Sequence, residues 1–257
     1  MRGPSEIDLG KNFGQMVDAY ERFRPDYPPG IFSRIVNAVS PPHDRLVDLG
    51  IGTGKLARGF VRDFGEIIGV EPDAAMAEKL GVLEPQIRIR IGTAEEIDFE
   101  PSSIDLVTVG HALHWMDPAV VLSRVTLWLR SGGVFAVVAG GFCPPDGPTR
   151  EIIDREFEEK WAAFRDPRTK KQPPDEVLRS NPQMNVIEDS IVPDVRSLTV
   201  AQYVGYCRST SHGNAYARSL ADPESYWRAF ESRLRNKQPD DKIPVDFSRS
   251  LTLVKKS

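Results

Sequence analysis

Between residues 45 and 60 the chain reads Arg-Leu-Val-Asp-Leu-Gly-Ile-Gly-Thr-Gly-Lys-Leu-Ala-Arg-Gly-Phe, and no other stretch limits its fold as strongly. Residues 46–49 are apolar except for Asp48 and have the length of a short buried strand. Glycines then alternate at Gly50, Gly52 and Gly54, and residues 55–64 favour a helix. Glycine lets a backbone turn tightly and come close to a ligand. A helix start offers unpaired N–H groups. Together these parts predict a nucleotide-binding element.

The flanking sequence supplies the sheet. Short apolar runs at 66–71, 87–91, 104–110 and 134–139 alternate with helical patterns at 55–64, 74–80 and 119–129. Ser131-Gly132-Gly133 reads as a turn before the fifth strand. Such alternation predicts parallel βαβ units and a doubly wound, Rossmann-like α/β sheet, with ligands beyond the strand carboxyl ends. With strands at 185–192 and 245–254 the sheet has seven, mostly parallel, the last antiparallel.

Ahead of the sheet, residues 1–12 read as a loose arm. Phe13, Met16, Val17, Tyr20 and Phe23 recur at helical spacing over 13–23, and a second helix spans 31–39. Residues 13–40 thus form an N-terminal helical cover. After Gly141 the pattern changes to a charged helix at 150–164, a polar connector at 166–174, and helices at 199–209 and 222–236. Thr199 and Asp222 read as their N-caps. Residues 144–240 are expected to form a helical cap over the sheet's ligand edge, within one domain of residues 1–257.

The 257 residues carry a net charge of −4, whereas general nucleic-acid binders tend to be basic, so a small-molecule partner and no nucleic acid are expected. Two cysteines, Cys143 and Cys207, predict neither a disulfide framework nor a zinc module. No apolar run reaches membrane-spanning length and no leader pattern stands out, so a cytoplasmic protein without a membrane partner is expected. The sequence carries no sign of oligomeric state.

The glycine loop admits two nucleotides. Gly52-Thr53-Gly54-Lys55-Leu56-Ala57 fits the relaxed dinucleotide fingerprint and keeps an NAD-dependent oxidoreductase open, although no Tyr-x-x-x-Lys donor is evident. Asp48 argues for another ligand, because a carboxylate at the strand's end suits a cationic or amino-bearing group. Asp48-Leu49-Gly50-Ile51-Gly52-Thr53-Gly54 resembles the first motif of class I S-adenosylmethionine (SAM) methyltransferases. Glu71 at the end of strand two, Thr93-Ala94-Glu95 after strand three, Ile104 to His111 on strand four, and Leu129 to Phe135 resemble that family's further motifs, in its order and spacing. Tyr20-x-x-x-Arg24-Pro25-x-Tyr27-Pro28 and Ala112-Leu113-His114-Trp115-Met116-Asp117 resemble the small-molecule branch that includes trans-aconitate methyltransferases.

The resemblance implies SAM as cofactor and S-adenosylhomocysteine as product. It places Glu71 on the ribose hydroxyls, Ala94 and Glu95 by the adenine, and Asp48 near the amino group. Gly50, Gly52, Gly54, Pro72, Met76, Gly110 and His111 complete the implied cofactor contacts, with Tyr20 and Arg24 at the methionine end. For the acceptor side, His114, His111 and His212 are the candidate catalytic residues. Trp115, Phe142, Tyr203 and Tyr206 are candidate pocket walls, since aromatic faces suit planar acceptors. His111 and His114 lack evident co-ligands, so no metal is expected. Two readings stay open beside the dehydrogenase: a methyltransferase acting on nucleic acid or protein, and a SAM-fold binding protein without methyl transfer.

Overall fold

The computed structural model describes residues 17–170 and 175–257. The strands are β1 (Arg45–Leu49), β2 (Glu66–Glu71), β3 (Arg88–Ile91), β4 (Ile104–Gly110), β5 (Leu129–Ala139), β6 (Met184–Val192), β7 (Val195–Leu198), β8 (Ile243–Asp246) and β9 (Arg249–Lys256). The α-helices are α1 (Val17–Phe23), α2 (Pro29–Ala38), α3 (Ala74–Leu83), α4 (Pro118–Trp128), α5 (Arg150–Glu156), α6 (Asp175–Ser180), α7 (Val200–Arg208), α8 (Ser211–Arg218) and α9 (Pro223–Lys237). They gather into two compact units. Among the described residues, one holds Asp26–Gly140, those of 168–192 and Arg249–Ser257; the other holds Gly141–Pro167 and Pro193–Ser248 with residues 17–25.

The first unit is a seven-stranded sheet in the order β3-β2-β1-β4-β5-β9-β6. β1 to β5 pair in parallel, and β9 runs antiparallel to both β5 and β6. The seven strands and the antiparallel last one are as the sequence predicts. Side chains alternate across the sheet. Val47, Val107, Phe135 and Val137 pack on one face with Val121, Val125 and Trp128 of α4. Leu46, Leu106, Val134 and Ala136 pack on the other with Ile31 and Ile35 of α2 and Leu80 of α3. Both faces are covered, which is the doubly wound arrangement.

The second unit has its own core, in which Trp161, Tyr203, Tyr206, Trp227, Phe230 and Phe247 are buried. A capping box of Thr199 and Gln202 starts α7, and the Asp222 carboxylate accepts the Ser225 N–H at the start of α9. β7 and β8 pair antiparallel in a separate two-stranded sheet.

Several expectations are corrected. Residues 55–64 form no α-helix, only a short 3-10 turn at Ala57–Phe60. Gly59 lies so close to Phe32 that a Cβ there would sit 2.1 Å from its ring, so this segment is shaped by packing. The turn expected at 131–133 is an irregular start to β5, with a register shift against Ile104 and Leu106 and Gly132 at φ 76°. Asp105 holds this bulge. Its carboxylate pairs with Arg130 and accepts the backbone N–H groups of Asp44 and Arg45 at 2.9 and 2.7 Å. The helix at 150–164 is α5 followed by a π-turn, Phe157–Trp161, and a 3-10 turn, Ala162–Phe164. The strand at 245–254 divides into β8 and β9, because Phe247 turns into the second unit's core. α6, α8 and β7 were not anticipated. The expected arm at 1–12, positions 13–16 of the first helix and connector residues 171–174 lie outside the described residues.

Candidate functional site

In the sheet unit, β1 delivers Asp48 to the start of the glycine loop. The carboxylate is 1% exposed, and the Thr108 hydroxyl donates to its Oδ1 at 2.6 Å. Asp48 and Thr108 are direct cross-strand partners of β1 and β4. Burial pushes the Asp48 carboxyl up to about 7, the Thr108 bond opposes this, and the nearby Glu71 charge adds to it. Among the described residues no cation pairs with Asp48.

The loop is pinned from β2: the N–H groups of Gly50 and Ile51 both donate to the Val70 carbonyl, at 2.8 and 3.1 Å. Gly50 has φ 66°, and a Cβ there would sit 2.6 Å from the Ala112 Cβ, so only glycine fits. Gly54 is similarly crowded by Leu80. Gly52, at φ 58°, differs: a Cβ there would meet nothing within 4 Å. Its N–H donates to Glu71 Oε2 at 2.8 Å, and the Asp73 N–H donates to Oε1 at 2.9 Å. Burial raises the Glu71 pKa, and those two hydrogen bonds oppose the rise. Thus Asp48, the glycine loop and Glu71 are brought together.

The remaining cofactor candidates of this unit are placed variously. Pro72 is exposed, whereas Met76 and Ala94 are buried. Glu95 Oε1 accepts the Asp117 N–H at 2.8 Å. Gly110 makes room for Tyr27, whose hydroxyl would lie 2.4 Å from a Cβ there. Tyr27 stacks on His111 at 5.7 Å, and His111 has φ 54°. Its N–H donates to Val138 O, and Nδ1 lies 3.2 Å from Gly140 O. His114 packs on Trp115 with ring centres 4.9 Å apart, and the Arg168 guanidinium lies 4.6 Å above the Trp115 ring.

The second unit holds the other candidates. Arg24 donates from Nη2 to Ser209 O at 3.2 Å, and its guanidinium lies 5.4 Å from the rings of both Tyr20 and Tyr206. Tyr203 and Tyr206 are fully buried core residues whose hydroxyls are engaged. Tyr203 donates to Cys143 O, and Tyr206 accepts the Cys143 N–H at 2.9 Å. Phe142 is half-buried and stacks between Phe157 and Tyr206. His212 lies in the first turn of α8, buried edge-on against Phe142 and Phe157. Burial, with the charges of Arg24 and Arg165, pushes its pKa down to about 3. So weak a base is poorly matched to proton abstraction at neutral pH.

Sequence reasoning missed Thr108, which the strand pairing alone identifies, and the part of Trp161 and Phe157 in the rings around His212. Among the described residues no group of three or more His, Cys, Asp or Glu is placed to hold a metal, and no helix is long and apolar enough to cross a membrane.

Residues 47–137 match the methyltransferase domain family Methyltransf_11. A Mycobacterium tuberculosis protein named as an uncharacterised methyltransferase is 40% identical over 134 residues, covering 52% of this chain and 54% of the relative. The Saccharomyces cerevisiae protein CRG1, described as a SAM-dependent methyltransferase, is 34% identical over 140 residues, covering 52% and 47%. The chain thus spans about half the length of the curated relatives it matches. A solved structure described as a type II methyltransferase from Anaeromyxobacter dehalogenans superposes with a TM-score of 0.70 at 22% identity, covering 91% of this chain and 98% of the other. Residues 47–137 thus match a methyltransferase domain, and the fold around them is that of the solved methyltransferase structure.

Proposed function

We propose that the protein moves a methyl group from SAM to a small-molecule acceptor. Asp48 carries the proposal. It is a buried carboxylate with a hydroxyl donor and no cationic partner among the described residues, beside a glycine whose outer side is open. A pyrophosphate would be repelled there, whereas a ligand ammonium supplies the missing charge. Glu71 fits the same ligand: each of its oxygens keeps a lone pair beyond its backbone bond, enough for two vicinal hydroxyls.

SAM supplies a methyl group already activated by its sulfonium: a bond to the acceptor's nucleophile forms as the C–S bond breaks, and the electron pair stays on the sulfur of S-adenosylhomocysteine. The chain's own share is placement and exclusion of water. His114, with Trp115 beside it past β4, is assigned to the acceptor side. The net charge of −4 supports a small acceptor over nucleic acid. The Tyr20–Pro28 and 112–117 segments support the branch resembling trans-aconitate methyltransferases.

Calorimetry with S-adenosylhomocysteine tests the reading, and binding is expected. A thermal shift with NADH and none with S-adenosylhomocysteine would replace it with the oxidoreductase.

A further inference from the structure

We infer that Arg24 and His212 form a binding site for one anionic oxygen on a flat acceptor, the group that an aromatic acid or a phenolate presents. The inference rests on the methyl-transfer reading for what the site serves, while its chemistry comes from the second unit alone.

Arg24 is half-buried, and its partners are the Ser209 carbonyl and the faces of Tyr20 and Tyr206. No carboxylate pairs with it among the described residues. Its Nε is buried and makes no hydrogen bond. His212 is 7% exposed, with rings for neighbours: Phe142 at 5.2 Å, Phe157 at 5.3 Å and Trp161 at 5.9 Å. Its Nε2 is likewise buried without a hydrogen-bond partner. Buried polar groups are almost always paired, so two orphans in one cluster need an explanation.

The missing partner must be an acceptor of hydrogen bonds with negative charge. Arg24 offers a cation and an N–H, and His212 can offer an N–H in its neutral form. The charges of Arg24 and Arg165 act on His212, and no carboxylate is among the causes of its shift. Aromatic clusters often hold ligand cations. Here the guanidinium of Arg24 already lies on the tyrosine faces, and a second cation would be repelled.

The same rings specify the body of the ligand. Phe142 and Phe157 are half-buried and parallel, with an interplanar angle of 12°. Gly141, next to Phe142, is exposed, and nothing lies within 4 Å of where its Cβ would be. Phe142 and Phe157 keep part of their surface exposed, which gives the ligand its approach from the Phe142 side, and a planar group suits these walls. His212 then acts as a neutral hydrogen-bonding residue that selects the acceptor, not as a base.

The test titrates the 257-residue chain with benzoate and, separately, with the uncharged benzamide, following tryptophan fluorescence and calorimetry. Benzoate should bind at least about tenfold more tightly, and Arg24→Met and His212→Phe should each weaken it by about tenfold or more. Arg24→Lys and His212→Gln, with folding checked by circular dichroism, provide milder variants that should give intermediate losses. S-adenosylhomocysteine affinity should be unchanged in His212→Phe. Equal binding of benzoate and benzamide, no benzoate binding, or wild-type benzoate affinity in folded variants would overturn the site. Loss of S-adenosylhomocysteine binding in Arg24→Met with benzoate binding intact would also overturn it, by giving the guanidinium to the cofactor's carboxylate. Benzoate binding to a wild-type protein that ignores S-adenosylhomocysteine would sink the methyl-transfer reading and leave the anion site standing.

Discussion

The Thr108 hydroxyl donates a 2.6 Å hydrogen bond to Asp48 across the β1–β4 pairing, to a carboxylate that is 1% exposed. Burial, which that hydrogen bond only partly offsets, leaves Asp48 able to keep a proton near neutrality, with consequences for stability. Its carboxyl rises from an ordinary 3.8 to about 7. Between those values the unfolded chain has lost a proton that the folded chain keeps, so stability is full below about 3.8 and falls as pH rises toward 7. The gap corresponds to about 4 kcal/mol as an upper bound. Asp48→Asn should remove this falling contribution, so that stability in urea unfolding rises with pH relative to the wild type across that range. An unchanged slope would place the proton elsewhere.

His212 has the opposite sign. Its folded pKa is about 3 against an ordinary 6.5. The unfolded chain takes up a proton in that window and the folded chain does not, so stability is present above 6.5 and is lost as pH falls toward 3. If the chain unfolds cooperatively, the two slopes largely cancel between pH 4 and 6.5 in the wild type. Asp48→Asn should expose a profile rising with pH, and His212→Phe a falling one. Parallel profiles in the two variants would refute this compensation.

Two glycine substitutions should separate folding from binding. Gly50→Ala meets the Ala112 Cβ at 2.6 Å, and a drop in melting temperature is expected. Gly52→Ala meets nothing within 4 Å and bears only the left-handed backbone penalty of about 1–2 kcal/mol. Its larger effect should be on S-adenosylhomocysteine affinity, about tenfold or more, read by calorimetry against the melting curves.

Glu71→Ala removes the acceptor of the Gly52 and Asp73 N–H groups. A loss of about 1–3 kcal/mol in stability is expected, together with weaker S-adenosylhomocysteine binding. Wild-type affinity in a folded variant would detach Glu71 from the ligand.

Glu156 binds the second unit together. Its carboxylate is 2% exposed and contacts Lys160, Arg233 and the Tyr226 hydroxyl, which in turn accepts the Trp161 indole N–H at 2.8 Å. Burial raises its pKa, but the Arg233 and Lys160 bonds outweigh burial and hold it below the usual range. Glu156→Gln should cost about 1–3 kcal/mol, measured by chemical denaturation, since both cations remain partly exposed and retain water.

The parts of the molecule legible in the sequence are those where local pattern and tertiary demand agree. β2 and β4 start and end where their apolar runs do, and Thr199 and Asp222 cap the helices they announce. The 55–64 segment was illegible because Phe32, distant in sequence, dictates its backbone through Gly59. The β5 bulge depends on Asp105 meeting Arg130, a pairing no periodicity displays. For the site, Asp48 and Glu71 could be found from the residues that resemble the family's motifs, yet Thr108 could not, because its role exists only through strand register. His212 could be singled out from the sequence but the helix that carries it could not, since Ser211–Arg218 is a short and mostly polar segment.

The position of β9 has a bearing on how the sheet is assembled. It lies between β5 and β6, although it is made after both. While Arg249–Lys256 is still within the ribosome, β5 and β6 have no common partner, and each presents an open edge. The sheet therefore closes only once β9 is made, over a sequence separation of more than a hundred residues from β5. Late closure of this kind favours slow folding and leaves the nascent chain dependent on protection from aggregation until β9 emerges.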